Sequence, residues 1–328
     1  KGLQLYSSGV LIMDKCADLL PDYFRFVKGV VDSPDFSLNI SREVLQHTRQ
    51  LSVIAKALEK KIKAELLKMQ KEEPEKYEKF WAAFGNQIKY GVVAEYGAHK
   101  EMLQDLLLFW SSKEGKNTTL AAYKDRMSED QPYYYYACGE SVDKIAKLPQ
   151  VERILDKGYE ILYCTEDVDD FVMKALGEID GKQFKSVSDE DALPQTEEEK
   201  KAAEEKAEAG KPVLEAVKEA LGDQVKAVRV SSILKSGACC LTTDGPISLE
   251  MEKYMNKVEG GEHLRADRVL ELNADSAPFA ALKKAVDAGD KDTVSKYSKL
   301  LYGQAVLLAG LTLEDPAEYA QLVSSLMV

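Results

Sequence analysis

Apolar positions recur at helical spacing over a long stretch near the start of the chain. Between residues 41 and 69 they return every three or four positions and form one stripe, which predicts an amphipathic helix capped by Asn39 or Ser41. Pro74 marks the start of a second, aromatic-rich helix, and a third is predicted over 99–110. The stripe of the first helix consists of Val44, Leu51, Ile54, Leu58, Ile62, Leu66 and Met69.

Strand patterns open the chain and alternate with helices in its middle. Residues 3–12 and 23–31 carry apolar side chains at strand spacing. From residue 133 the predicted order is strand, helix, strand, helix, strand, which favours a small parallel sheet with right-handed crossovers. The three strands are 133–138, 160–164 and 184–187, and the second helix is 169–176.

A change in composition separates the last third of the chain. Residues 188–210 are acidic and rich in alanine, and Thr196 with Glu199 fits a capping box, so we predict an exposed linker that ends in a solvated helix. A new unit of alternating helices and strands is predicted from Pro212. Its predicted helices are 213–221, 247–258, 277–287, 293–309 and 316–327, and its longer strands are 225–234 and 268–272.

Composition and charge narrow the classes of protein. The chain has 328 residues, 45% of them hydrophobic, and a net charge of −12, which indicates a globular protein with two or three domains. The acidic balance and the lack of a basic stripe argue against nucleic acid as a partner. Because apolar runs are short, we expect no transmembrane helix and no membrane partner. The five scattered cysteines indicate reduced thiols and hence a cytoplasmic location, and with the three histidines they form no metal-binding pattern.

The common nucleotide and hydrolase signatures are missing from the sequence. There is no Walker loop, no G-x-G-x-x-G, no G-x-S-x-G and no H-E-x-x-H. Gly139 lies between a predicted strand and a predicted helix, but a single glycine in such a turn is common. As an independent enzyme, the chain therefore lacks a recognisable catalytic set.

Arg42 lies in the first turn of the first predicted helix, where the helix dipole disfavours a cation. One interpretation is a surface arginine paired with Glu43 or Asp35. The other is an anion site, because free N–H groups at a helix start and a guanidinium both favour phosphate oxygens. Gln46 lies one turn further on the same face. Local physics supports the two interpretations equally.

The predicted helix 247–258 carries methionines on one face. The pattern favours a helix that faces the core. The alternative is an adaptable binding face, because unbranched thioethers repack against varied partners. The apolar face consists of Ile247, Met251, Tyr254 and Met255, and the charged residues placed opposite are Glu250, Glu252 and Lys253.

Each of the last two predicted helices carries an apolar stripe. The two stripes either close an intrachain core or pair with a second copy of the chain through a self-complementary patch. Their members are Val294, Tyr297, Leu301, Ala305 and Leu308 on one helix and Tyr319, Leu322, Val323 and Leu326 on the other.

Several long segments of the chain resemble the heat-shock protein 90 chaperone family. Residues 19–46, LLPDYFRFVKGVVDSPDFSLNISREVLQ, are similar to the signature of its middle domain. The other matching segments, in family order, are FWAAFGNQIKYGV (80–92), YYYACGES (134–141), YEILYCTEDVDDF (159–171) and KLLYGQAVLLAGLTLEDP (299–316). Within the family, the chain is most similar to the bacterial members.

The resemblance implies a multidomain fold of the α+β and α/β classes. An α-β-α layered middle domain with a small parallel βαβ subdomain would span 1–188, a charged linker and helix 189–210, and an α+β C-terminal domain with a helical dimerisation bundle 211–328. The middle domain would consist of a large α/β part (about 1–110), connecting helices (about 111–130) and a small α/β part (about 131–188). The family's N-terminal ATP-binding domain would precede Lys1.

The resemblance also assigns roles to residues. Arg42 would belong to a catalytic loop that reaches the γ-phosphate of ATP on the N-terminal domain, and Gln46 and Asn39 match neighbouring polar positions. The helix 247–258 matches one that contacts client proteins, and Phe171 matches a middle-domain position implicated in the same contact.

The implied function is that of an ATP-dependent chaperone of the stress response, which forms a homodimer and binds non-native client proteins. Helices 293–309 and 316–327 match the family's dimerisation bundle. ATP and Mg would be cofactors of the full-length protein, whereas this chain alone would hold no cofactor and hydrolyse no ATP. The alternative is a non-catalytic scaffold with a buried methionine helix and a surface-paired Arg42.

Overall fold

The computed structural model describes residues 2–36, 49–258 and 264–327. The chain combines α-helices with several β-sheets, which confirms the mixed α and β class. It divides into two compact units. The domain boundaries predicted from the family resemblance, at about residues 188 and 210, stay a prediction. The first unit is Lys1–Phe109 with Thr118–Ala122 and Lys174–Leu176, and the second is Trp110–Asn117 with Tyr123–Met173 and Gly177–Val328.

The first unit packs a three-stranded sheet against long helices. Its elements are β1 (Leu3–Ser7), β2 (Val10–Cys16), β3 (Val30–Asp32), α1 (Arg49–Glu72), α2 (Pro74–Val93) and α3 (Lys100–Leu103). β1 lies in the centre, antiparallel to β2 and parallel to β3. Alternate residues of β1 are buried, as expected for a strand with one face toward the core. Leu5 of this strand belongs to the same buried core cluster as Leu19 and as Leu51 of α1.

The predicted strand 23–31 is wrong over most of its length. Asp22–Phe24 form a 3-10 turn, and the strand is confined to Val30–Asp32. Tyr23 and Phe24 are consecutive in sequence and both buried, which a half-exposed strand does not allow. The turn is held by close packing, because a Cβ at Gly91 of α2 would lie 2.5 Å from the Cβ of Tyr23.

The predicted helix 99–110 is also wrong in its second half. Helical structure ends with a 3-10 turn at Leu106, and Leu108–Ser111 form strand β4. Four consecutive residues, 106–109, are buried, so the run has no polar side for an amphipathic helix.

A six-stranded mixed sheet follows in the chain, in the order β5-β4-β7-β6-β9-β8. β6 pairs in parallel with β7 and β9, which confirms the predicted parallel core, and β4 and β8 pair antiparallel with β7 and β9 on either side of it. The further elements are β5 (Asn117–Thr119), α4 (Leu120–Arg126), β6 (Tyr134–Cys138), α5 (Val142–Ile145), α6 (Glu152–Asp156), β7 (Ile161–Cys164), α7 (Asp169–Leu176), β8 (Glu178–Ile179) and β9 (Lys182–Ser186).

The C-terminal part of the second unit surrounds a second mixed sheet, ordered β10-β12-β11. Its core joins α8, α10 and α11 to the faces of these strands. The elements are α8 (Glu197–Leu221), β10 (Ala227–Val230), β11 (Cys239–Thr243), α9 (Leu249–Lys257), β12 (Arg268–Leu272), α10 (Ala277–Asp287), α11 (Lys291–Leu308) and α12 (Pro316–Ser324).

Helix α8 is continuous where the sequence predicted a linker helix and a separate helix 213–221. The capping box of Thr196 and Glu199 is confirmed, with both reciprocal hydrogen bonds present. Pro212 lies inside the helix, although proline removes a backbone hydrogen bond there. Val213 and Val217 are buried in the C-terminal core, and this burial offsets the loss of the backbone hydrogen bond at Pro212.

Candidate functional site

The predicted catalytic-loop residues Arg42, Gln46 and Asn39 lie outside the described residues. The structure begins again at Arg49, the first residue of α1. Their assignment therefore stays a prediction.

The start of helix α9 is joined to the start of α7. Ser248 is the N-cap of α9, and its Oγ accepts a hydrogen bond from the backbone N–H of Met251 at 3.2 Å. The same hydroxyl donates to Oδ2 of Asp170 in the first turn of α7, at 2.8 Å. Asp170 is buried and also accepts from the Tyr136 hydroxyl of β6. The Asp170 carboxylate therefore links the N-cap of α9 to strand β6 of the six-stranded sheet.

Two further contacts align α9 with α7. The rings of Phe171 and Tyr254 meet edge to face, with centroids 5.2 Å apart and an interplanar angle of 66°. At the other end of α9, Lys257 forms a salt bridge of 2.7 Å with Asp167, in the loop before α7. The structure therefore brings together Phe171 and Tyr254, to which the family resemblance gave the same client-binding role although they lie more than 80 residues apart in sequence.

The predicted apolar face of α9 is neither fully buried nor fully exposed. Ile247, Met251, Tyr254, Met255 and Phe171 all have intermediate exposure. We call these five side chains the α7–α9 surface.

The side of α9 that is buried contains a carboxylate. The sequence placed Glu252 on the polar side opposite the methionines, yet it is only 4% exposed. Its Oε1 accepts from Arg268 Nη2 of β12 at 2.6 Å, and its Oε2 accepts from the backbone N–H of Ala266 at 2.8 Å. Helical spacing does not separate a solvated glutamate from a paired one, and the available signal was Arg268 in an otherwise apolar strand.

The Arg268 guanidinium has a second partner, while its buried Nε has no hydrogen-bond partner among the described residues. Its Nη1 donates to the Tyr302 hydroxyl of α11 at 2.9 Å, and that hydroxyl donates to the carbonyl of Gln224 at 3.3 Å. The network therefore ties α9, β12 and α11 together.

β12 carries a second buried charge that sequence reasoning missed. Glu271 is 1% exposed and accepts from the hydroxyls of Ser231 and Thr242 at 2.8 and 2.9 Å. Burial, partly offset by these two bonds, raises the pKa of this carboxyl above its usual range.

The predicted dimerisation stripe separates into core and surface residues. Leu301 and Ala305 are 5% and 0% exposed and belong to the intrachain core, against which Tyr297 packs. Leu301 and Ala305 thus match the alternative of an intrachain core, and the assignment of the stripe to a contact with a second copy stays a prediction. In contrast, Leu308 is 42% and Leu326 53% exposed.

Tyr319 and Leu322 of α12 have intermediate exposure. Tyr319 lies over Gly303 of α11, where a Cβ would come within 2.5 Å of its ring. This close approach fixes α12 on α11 and leaves the two exposed leucines on the outer surface.

The described ranges 2–36, 49–258 and 264–327 contain no group of three or more histidine, cysteine, aspartate or glutamate side chains arranged to hold a metal ion. None of their helices is long and apolar enough to cross a membrane.

Comparison with known proteins decides the family. The family model described as Hsp90 protein matches residues 1–328. The chain belongs to the Hsp90 family. It is 52% identical over 327 residues to the chaperone protein HtpG of Clostridium botulinum, 53% over 327 residues to that of Clostridium perfringens, and 51% over 328 residues to that of Bacillus subtilis. Each alignment covers 100% of this chain and 52% of the relative, so the chain spans about half the length of these Hsp90 proteins.

Replacing Glu252 with glutamine should destabilise the second unit of this Hsp90 chain. The change leaves Arg268 buried without its counter-charge, which costs about 3 kcal/mol or more. Urea unfolding followed by circular dichroism measures the loss, and hydrogen exchange locates it in α9. The matched control is Glu250→Gln on the same helix, whose partly exposed pair with Lys253 should contribute less than about 1 kcal/mol. Equal effects of the two substitutions would contradict the anchoring role.

Proposed function

We propose that the chain is the middle and C-terminal part of an ATP-dependent chaperone that binds non-native client proteins through the α7–α9 surface. The observation that carries the proposal is the contact between Phe171 and Tyr254, which joins two separately predicted client residues in one place. Family membership and the relatives named as chaperones support the general function.

The chemistry of the α7–α9 surface suits varied apolar partners. Met251 and Met255 offer flexible, polarizable thioethers, while the two aromatic rings offer rigid apolar area. Charged groups border it, with the Lys257–Asp167 pair at one end and the Lys253–Glu250 pair beside it. Exposed apolar segments of unfolded proteins are therefore the expected ligands.

We also propose that two copies associate through α11 and α12. Leu307 and Leu308 at the end of α11 are 49% and 42% exposed, and Leu326 and Met327 after α12 are 53% and 80% exposed. Large exposed apolar side chains at both ends of a packed helix pair are a reasonable basis for a homodimer interface.

The ATPase role rests on the family alone. Arg42, with Gln46 and Asn39, would reach the γ-phosphate of ATP bound with Mg by the N-terminal domain of the full-length protein. A guanidinium supplied from another domain stabilises charge on the transferred phosphoryl group, as arginine fingers do.

Client binding is tested with a permanently unfolded probe, carboxymethylated α-lactalbumin, by fluorescence anisotropy. Phe171→Glu and Met255→Glu should each weaken binding at least about tenfold, because a charge replaces apolar contact at the centre of the surface. Val53→Glu on α1 is the control, since Val53 is apolar and 59% exposed in the first unit. Unchanged affinity in both α7–α9 variants would favour the scaffold alternative.

The dimer is tested by light scattering across a concentration series. Leu308→Lys and Leu326→Lys should shift the chain toward monomer, because a desolvated lysine opposes association. Val53→Lys is the control, since Val53 is apolar, 59% exposed and part of the first unit rather than of α11 or α12. A dimer that persists when Leu308→Lys and Leu326→Lys are combined in one chain would place the interface elsewhere. Truncation before α11 is unsuitable, because it would remove Leu301 and Ala305 from the core.

The arginine assignment is tested in the full-length protein. Arg42→Ala should lower ATP turnover by at least about tenfold while ATP affinity stays within about twofold, because the guanidinium acts on transferring charge. Arg49→Ala is the control, since Arg49 is exposed at the start of α1. A turnover number that matches the wild type would remove the catalytic role from Arg42.

A further inference from the structure

Two cysteines lie side by side at the carboxyl ends of adjacent parallel strands. Cys138 is the last residue of β6 and Cys164 the last of β7, and the two are register partners. The backbone N–H of Gly139, directly after Cys138, donates to the carbonyl of Cys164 at 3.1 Å. The strand ends are therefore held together by the backbone.

Register partners in a parallel pair direct their side chains to the same face of the sheet. Neighbouring strands lie about 4.8 Å apart. Disulfides form between residues whose Cα atoms are about 4.4–6.8 Å apart, so the strand spacing meets this requirement. The Cys138 thiol hydrogen-bonds with Cys164 in the described structure.

The two cysteine residues differ in exposure, although the Cys138 thiol itself is buried. Cys164 is 1% exposed, whereas Cys138 has intermediate exposure as a residue. Cys138 is therefore the cysteine nearer to solvent and the first that an oxidant meets, and Cys164 is positioned to displace whatever becomes attached to it.

We propose that Cys138 and Cys164 form a reversible disulfide when the protein meets a small disulfide oxidant such as glutathione disulfide. The Cys138 thiolate attacks one sulfur of the oxidant and releases one glutathione. The Cys164 thiolate then attacks the Cys138 sulfur of the mixed disulfide and releases the second glutathione. Two electrons and two protons pass from the protein to the oxidant, and no other reactant is needed.

The surroundings make this reaction slow at neutral pH. The hydrogen bond with Cys164, then burial, then the charges of Cys164, Asp170 and Glu250 raise the pKa of the Cys138 thiol well above its usual value. Since the thiolate is the nucleophile, the pair should respond to sustained oxidising conditions.

The other cysteines provide an internal control. Cys239 and Cys240 are consecutive in β11, so their side chains point to opposite faces of the strand and are poorly placed to pair with each other. Cys16 is fully buried in the core of the first unit.

Oxidation of the folded chain by glutathione disulfide, followed by alkylation and peptide mapping, tests the proposal. We expect a disulfide-linked pair of peptides containing Cys138 and Cys164, reversed by dithiothreitol, with the other three cysteines alkylated. In Cys164→Ser, Cys138 should stop at the mixed disulfide with glutathione. The mapping of the unmodified chain is decisive even if this variant fails to fold. Recovery of both thiols as alkylated peptides at every ratio of oxidised to reduced glutathione would overturn the proposal.

Discussion

The ion pair between Glu252 and Arg268 determines what α9 presents to its surroundings. A charge taken out of water is stabilised by a paired counter-charge and by hydrogen bonds to its remaining groups. Here the Ala266 N–H and the Tyr302 hydroxyl supply additional partners. α9 is therefore held to the sheet by a charged side chain, while Met251 and Met255 are only partly buried. This partly exposed apolar face is the basis of the proposed client contact.

The same pair shows where sequence patterns fail. Hydrophobic spacing predicted α7, β12 and α10 with their observed bounds, because each has one apolar face or a continuous apolar run. It could not place Glu252 inside, since a paired carboxylate and a solvated one look alike in a sequence. Two charges in the otherwise apolar β12 were the usable signal, and both Arg268 and Glu271 are buried with partners.

Local patterns also failed where consecutive residues are buried. Tyr23 and Phe24 lie on a 3-10 turn packed against α2, and residues 106–109 lead from a turn into a strand. In both places, consecutive side chains are buried by tertiary contacts. The sequence therefore shows no alternation of apolar and polar residues from which the local structure could be predicted. The candidate site was accessible to sequence reasoning mainly through the family resemblance, which joined Phe171 with Tyr254. The contacts of Ser248 with Asp170 and of Lys257 with Asp167 depend on the folded chain.

The cysteine pair and the start of α7 lie together at the carboxyl ends of two parallel strands of the six-stranded sheet. β6 and β7 end at Cys138 and Cys164, and α7 begins five residues after β7. Loops at the carboxyl ends of parallel strands are a common place for binding groups, because several segments converge there without disturbing the sheet. α9 reaches this end of the sheet through the Ser248 cap on Asp170. Asp170 and Glu250, which lie at the starts of α7 and α9, also contribute to the raised pKa of the Cys138 thiol.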